Sequence, residues 1–469
     1  MGQALAAAQL SVLRPITESE RMPPFEQDLG NGFILRTVRD ERDIERYSAF
    51  HFHLFHNAEC VTIDRLLRHH PEVSYDDFFL VEDTATGRIA STTCLVPWHC
   101  RYEEAELRLA QLEVVATHPD YRRRGLVRAQ IAHFHHRASE QGYELCAIAG
   151  IPYYYRQFGY SYALDQGRGS VVPAFVIPSL PPGQEESFRL RRAAESDAGT
   201  LARLYDEAMH PIGFHDTRSL DFWRYLLRWA QHPATIVEEV ATSLPAGYIS
   251  AVPAGDGSAI MVSEAGVIRH DVAMAVLRLL KAQGAGQVIV TSPAQGTLAR
   301  VAASLGAPIP RAYQWLLRLN GLARFLTAIG PVLERRLAAS AFAGLTGAYC
   351  LNNYHEAVNL AFENGRLAGV TPLGFREASN DSDGGDFQLP PSALLRLMLG
   401  YRTCEQLRDA WPDIVIRPGL EPLLEALFPP MSSHLILPYS YSGPIPETPE
   451  AALSAGGRAG LSAEAGGTE

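Results

Sequence analysis

Hydrophobic positions in the first third of the chain follow two rhythms that alternate, one of strands and one of helices. Phe33 to Val38, FILRTV, is a short apolar-rich run just after the turn dipeptide Asn31-Gly32 and predicts a strand. DERDIERYSAFHFHLF follows with helical spacing and opens on acidic residues, which suit the positive end of a helix dipole. DDFFLVEDTATGRIASTTCLVPW holds two β-rich runs joined by a Thr-Gly turn, the pattern of an antiparallel hairpin. RLAQLEVVATH predicts a further strand. PDYRRRGLVRAQIAHFHHRASEQG then predicts a loop and a helix of about five turns, with Leu126, Ala129, Ile131 and Phe134 on its apolar face. YELCAIAGI returns as a strand and completes a β-loop-α-β unit.

The Pro-rich stretch VVPAFVIPSLPPGQEE reads as a linker, and after it the opening pattern recurs. FRLRRAAESDAGTLARLYDEA repeats the Phe-x-Leu-Arg start and the acid-led helix, which predicts an internal duplication. Inside this second copy, EAGVIRHDVAMAVLRLLKAQGAGQVIVTSP keeps the strand-helix-strand order without an arginine-glycine loop. A third unit starts near Asn320 with helix GLARFLTAIGPVLERRLA, continues in β-like runs over 348–351, 357–362 and 367–372, and ends in helices from Pro391 onward. The expected division is a flexible lead over 1–30, units over 31–180, 185–319 and 320–440, and a disordered tail over 441–469 rich in Pro, Gly, Ala and Glu.

Composition narrows the classes. A chain of 469 residues exceeds one ordinary core, and 47% hydrophobic with 20% charged residues is a globular balance. The formal net charge of -11 disfavours a nucleic-acid partner and favours a small cationic one. Six scattered cysteines with no CxxC pair read as buried apolar residues of a reducing cytoplasm. No apolar run is long enough to span a membrane, and the N-terminal stretch lacks the basic region of a signal peptide.

The segment richest in chemistry is LEVVATHPDYRRRGLVRAQIAHF. A strand followed by Arg122, Arg123, Arg124 and Gly125 at the start of a helix gathers guanidinium groups, backbone N–H donors and the positive helix end at one spot, an arrangement suited to a diphosphate. Gly125 allows close backbone approach. Strand, Pro119, then Arg122-x-x-Gly125 resembles the acetyl-coenzyme A motif of the GNAT N-acetyltransferases, with Val127 where that family usually has Gly or Ala. YYYRQFGYSYA resembles the Tyr-x-x-Phe-Gly-Tyr segment of the enhanced-intracellular-survival branch of that family. PPSALLRLMLGYRT and LLEALFP resemble its C-terminal helices.

The resemblance implies an α/β (α+β) architecture of two GNAT-type mixed-sheet domains in tandem, followed by a sterol-carrier-like α+β domain. It implies acetyl-coenzyme A as co-substrate, transfer to a primary amine without a covalent enzyme intermediate, no metal, and a homo-oligomer such as a hexamer. By resemblance the backbone of Val115 and Thr117 holds pantetheine, Arg122 to Leu126 hold the diphosphate, and Tyr155 is the general acid that protonates the departing thiolate. The branch's chain-terminal carboxylate, here that of Glu469, is one route for the amine proton. Glu113, two residues before Val115 and so of the same strand parity, is another, and water is a third.

Phe52 and His56, on the first helix, line the acceptor pocket or pack in the core, and Trp98 is the tryptophan placed nearest the proposed site. The clusters His51, His53, His56, Glu59 and His133, His135, His136 do not reproduce HExxH or a supporting acidic set, so no metal site is expected. Aminoglycosides, polyamines and protein lysines all fit an amine acceptor. A different class of function, a lipid-binding protein acting through the third unit with the first two as scaffold, remains the alternative reading.

Overall fold

The computed structural model describes residues 25–440 apart from 56–57, 167–169, 256, 294, 309–312 and 380–381. The tail 441–469, expected to be disordered, lies outside the described residues, as do most of the N-terminal lead and His56.

The first sheet is built on β1 (Glu26–Gly30), β2 (Phe33–Thr37), β3 (Phe78–Asp83), β4 (Arg88–Tyr102), β5 (Ala105–Thr117), β6 (Leu145–Ile148) and β7 (Ser161–Gln166). Between β2 and β3 run α1 (Glu41–Phe55) and α2 (Ala58–His69), and α3 (Leu126–Glu140) links β5 to β6. β1 corrects the reading of 1–30 as a flexible lead. Asn31-Gly32 is a hairpin turn inside the sheet, with Asn31 at a φ of 52° and Gly32 at 78°, rather than the start of a unit. The strand escaped notice because EQDLG is mostly exposed and carries no apolar alternation.

The second segment contributes β8 (Ser170–Pro173), β9 (Phe188–Arg192), α4 (Ala198–Met209), β10 (Phe214–Thr217), α5 (Leu220–Arg228), β11 (Ala234–Glu239), β12 (Pro245–Ala254) and β13 (Ala259–Gly266). It continues with α6 (His270–Ala282), β14 (Gln287–Val290), α7 (Thr297–Ser304) and β15 (Tyr313–Leu319). Its sheet has the order β8-β14-β13-β12-β11-β9. β13 and β14 are a parallel pair joined by α6, as β5 and β6 are a parallel pair joined by α3. Only residues 267–269 connect β13 to α6, whereas residues 118–125 connect β5 to α3, so the connection into α6 has no room for an arginine loop.

Two strands cross the expected boundaries. β8, from the end of the 31–180 span, pairs with β14 in the second sheet, and β15, from the end of the 185–319 span, inserts between β6 and β7 in the first. The exchange satisfies two sheet edges that each segment alone would leave unpaired. β10 also joins the first sheet, pairing with the second half of β4 while β3 pairs with the first half.

The third segment holds α8 (Leu322–Ala328), α9 (Gly330–Ala338), β16 (Gly347–Asn352), β17 (Ala357–Glu363), β18 (Arg366–Gly374), β19 (Phe387–Gln388), α10 (Pro391–Met398), α11 (Cys404–Ala410), β20 (Val415–Ile416), α12 (Glu421–Leu427) and β21 (Ser433–His434). Its five-stranded sheet has the order β18-β17-β16-β19-β20. The one helix expected at its start is two, α8 and α9, which meet at Ile329-Gly330-Pro331, where proline cannot continue the backbone ladder. After α12 the chain turns back, and β21 lies parallel to β10 on the first sheet. Trp315 Nε1 donates to Leu435 O at 3.0 Å, fixing this returning strand against β15.

One apolar core runs from the α1 and α2 face of the first sheet through α4 and α5 to the helices of the third segment. A separate core lies under α3 on the opposite face. All six cysteines are buried and none forms a disulfide. Among the described residues, no helix is long and apolar enough to cross a membrane.

Candidate active site

The site forms where β5 leaves its neighbours. β5 pairs with β4 along its length but runs parallel to β6 only over Leu109 to Gln111, so beyond Gln111 its β6-facing edge has no partner strand among the described residues. A bulge interrupts it there. Thr92 pairs with Ala116 and Cys94 with Glu113, so Val114 and Val115 face Thr93 alone, and Val114 takes a φ of 59°. Left-handed backbone at a β-branched residue costs about 1–3 kcal/mol, which the surrounding sheet must supply.

The bulge overturns the parity argument for Glu113. Val115 packs into the core under α3, and Val114 into the core on the α1 and α2 face. Glu113 pairs with Cys94 on that latter face, so Glu113 and Val115 point to opposite sides of the sheet. Thr117 stays on the α3 side, where Ser91 Oγ lies 3.0 Å from Thr117 Oγ1 and donates to Gln130 Oε1 at 2.6 Å.

The arginine loop follows immediately. Pro119 to Tyr121 form one 3-10 turn, and Tyr121 is anchored by its hydroxyl to Asp83 Oδ2 at 2.9 Å. Arg123 at a φ of 62° and Gly125 at 79° turn the chain into α3. Arg122 N–H bonds to Pro119 O and Ala129 N–H to Gly125 O, and among the described residues the amides of 123–128 between them make no hydrogen bond. All three arginines are exposed. The Arg124 guanidinium stacks over the rings of Phe33 and Tyr121 at 5.6 and 5.5 Å and donates to Asp120 O. Neither Arg122 nor Arg123 forms an ion pair among the described residues. Leu126 opens α3 with its side chain buried, so only its backbone is available to a ligand.

Tyr155 lies in a 3-10 turn spanning Tyr154–Phe158, entered through Tyr153 at a φ of 71° and left through Gly159 at 85°. The ring is 6% exposed, meets Tyr154 and Tyr160 edge-on, and lies directly on Gly150. Burial, then Tyr154 and Glu113, push the hydroxyl's pKa up, so the phenol stays protonated. It makes no hydrogen bond among the described residues. A methyl group at residue 150 would come within 2.2 Å of Tyr155 Cε2. Gly150→Ala is therefore expected to displace the ring and cost about 1–3 kcal/mol by overpacking, seen as a lower urea midpoint at unchanged m-value.

Glu113 is recessed but not sealed from solvent. Burial, followed by repulsion from Glu59 on α2, raises its pKa to about 8 against a hydrogen bond from Gln111 Nε2 at 2.8 Å. Tyr155 thus keeps a proton to give, and Glu113, close enough to raise the Tyr155 pKa electrostatically, has an affinity for protons near neutrality.

The remaining expected residues are less central. Trp98 is buried edge-on to Trp315 and Tyr439 and lines a shallow recess with His70, Glu72, Asp216 and Phe222. Phe52 is half-buried on α1. The histidines have other partners: His51 bonds to Thr92 Oγ1 at 2.8 Å and burial lowers its pKa to about 3, His133 stacks on Phe25, and His135 meets Tyr160. Among the described residues no group of three His, Cys, Asp or Glu is arranged to hold a metal. Sequence reasoning missed Gln111 and Tyr439, whose partners are set only by the folded chain.

Residues 35–163 match the family model described as acetyltransferase (GNAT) domain. No curated protein matches the chain. Among solved structures, a conserved protein of unknown function from Enterococcus faecalis V583 has a TM-score of 0.65 at 15% identity, covering 86% of this chain and 100% of that one. A GCN5-related N-acetyltransferase from Anabaena variabilis has 0.59 at 17%, covering 88% and 98%. Eis1 from Mycobacterium abscessus has 0.56 at 16%, covering 85% and 97%. At these identities the likeness is one of fold, a mixed α/β fold with several mixed sheets. The chain carries a GNAT acetyltransferase domain and is an acyltransferase; that domain implies acetyl-coenzyme A as co-substrate, and GNAT acetyltransferases act on amine acceptors.

Proposed function

We propose that the chain is an N-acetyltransferase that passes the acetyl group of acetyl-coenzyme A directly to a primary amine of a small cationic molecule, aminoglycoside- or polyamine-like, or of a protein lysine. The observation that carries the reading is the run of unbonded amides over 123–128 with the three arginines, beside the open edge of β5. Those amides and Arg122 to Arg124 bind the diphosphate, and the free edge around Val115 and Thr117 holds the pantetheine arm.

The chemistry uses Tyr155 as acid and Glu113 as base. The amine nitrogen attacks the thioester carbonyl carbon, and the carbon–sulfur bond breaks. Tyr155 gives its proton to the departing sulfur, and Glu113 takes the proton that the amine loses. The proton on Glu113 then restores the phenol through solvent, so charge and protons balance. With a pKa near 8, Glu113 is a stronger base than an ordinary carboxylate and still ionises in mildly alkaline solution. The net charge of -11 favours a cationic acceptor, which this reading places near Trp98 and Phe52.

Further parts of the reading rest on family resemblance supported by the topology. The first two sheets are a tandem of GNAT halves, the second without a cofactor loop, and the third segment is a sterol-carrier-like domain. The protein works as a cytoplasmic homo-oligomer. Purified full-length chain, given acetyl-coenzyme A and a panel of aminoglycosides, polyamines and lysine peptides, tests the activity. Thiol release matched mole for mole by acetylated amine is expected, while thiol release with no acetylated amine would reduce the protein to a thioesterase.

A further inference from the structure

After α12 the chain comes back to the site. From β21 it runs over Leu435 to Ser440, held by Trp315 Nε1 on Leu435 O and by His232 Nδ1 at 3.1 Å from Pro438 O. This places Tyr439, 1% exposed, edge-on to Trp98 with its hydroxyl 2.5 Å from Oε1 of Gln111, itself fully buried. The other end of the same amide, Gln111 Nε2, donates to Glu113 Oε2 at 2.8 Å.

We infer that Tyr439 and Gln111 are positioning residues that fix which end of the Gln111 amide faces Glu113, tying the end of the third segment to the proton-accepting group of the first. The inference rests on Glu113 as the base in the reading above. A carboxamide has one donor end and one acceptor end, and both are used here. With Oε1 held by the Tyr439 hydroxyl, the end presented to Glu113 is N–H, which favours carboxylate over carboxylic acid. Turning the amide over would leave the buried phenol hydrogen without its partner, an unsatisfied donor that the interior penalises. Burial pushes the Tyr439 pKa well up, so its hydroxyl keeps the proton it donates.

Among the other groups around Glu113 one pulls the opposite way and two are neutral. Glu59 on α2 repels its charge, Cys94 across β4 is a buried neutral thiol, and Tyr155 is a neutral phenol. Among the groups named, the Gln111 amide is the one that stabilises the ionised carboxyl, and Tyr439 sets its direction.

The test is the titration of Glu113 in the full-length protein without substrate, followed by infrared spectroscopy of its carboxyl band as the difference from Glu113→Gln. In Tyr439→Phe the midpoint is expected to rise by about half to one pH unit, the worth of one hydrogen bond. Gln111→Met is expected to raise it at least as far, and adding Tyr439→Phe to Gln111→Met is expected to raise it no further, since the relay is already cut. The acidic limb of kcat/KM, measured with the fastest amine of the panel, moves with the midpoint. An unmoved midpoint in Tyr439→Phe, or additive shifts in the double variant, overturns the relay. If Tyr439→Phe does not fold, an unmoved midpoint in Gln111→Met overturns it alone. Should Glu113→Gln retain its rate and its acidic limb, the base assignment falls, and the infrared titration still judges the relay separately.

Discussion

Tyr155→Phe is expected to lower kcat by about 10²-fold or more while leaving the Kd for acetyl-coenzyme A within about twofold, the range of a lost general acid. The ring is lodged against Gly150 between Tyr154 and Tyr160, and phenylalanine fills the same space. Only the hydroxyl is lost. Because that hydroxyl makes no hydrogen bond among the described residues, its removal leaves no buried partner unsatisfied, and stability should be unchanged. A fall in kcat with unaltered thermal melting would isolate the chemical step, and an unchanged kcat would remove Tyr155 from the mechanism.

Glu113→Gln is expected to lower kcat/KM by a similar factor, about 10²-fold, and to abolish the acidic limb near pH 8. The same change carries a stability signature of opposite sense. With its pKa raised in the folded state, Glu113 keeps a proton there that the unfolded chain gives up between the ordinary carboxylate value of 4.5 and about 8. Folded-state stability is therefore lost as pH rises through that window, because the native state binds more protons. Glutamine has no charge to bury. At pH 9 the variant should melt higher than the parent by about 2–4 °C, and at pH 4 the two should coincide. Equal melting at both values would mean that Glu113 is not desolvated, and the argument for an elevated proton affinity would fail.

Local order was readable from the sequence and long-range pairing was not. The run from β5 through the arginine loop to α3 and β6 is contiguous, and its turn chemistry, helix start and apolar spacing all agree. The first helix and the three strands β16, β17 and β18 were legible for the same reason. The exchange of β8 and β15 was hidden because alternation marks a strand without naming its neighbour. The bulge was hidden more deeply, since nothing about valine at 114 signals positive φ, and it is this residue that sends Glu113 and Val115 to opposite faces. Tyr439 stands 328 positions from Gln111, and only the folded path of the third segment brings them together.

Calorimetric titration with acetyl-coenzyme A and with acetyl-pantetheine, which carries the same thioester arm without the nucleotide diphosphate, tests the diphosphate cradle at Arg122 to Leu126 most directly. The account predicts saturable binding of acetyl-coenzyme A that weakens with added salt, and acetyl-pantetheine binding at least about a hundredfold weaker, as expected for the loss of several charge-assisted hydrogen bonds. Equal affinity for the two thioesters, or no binding of either, would contradict it.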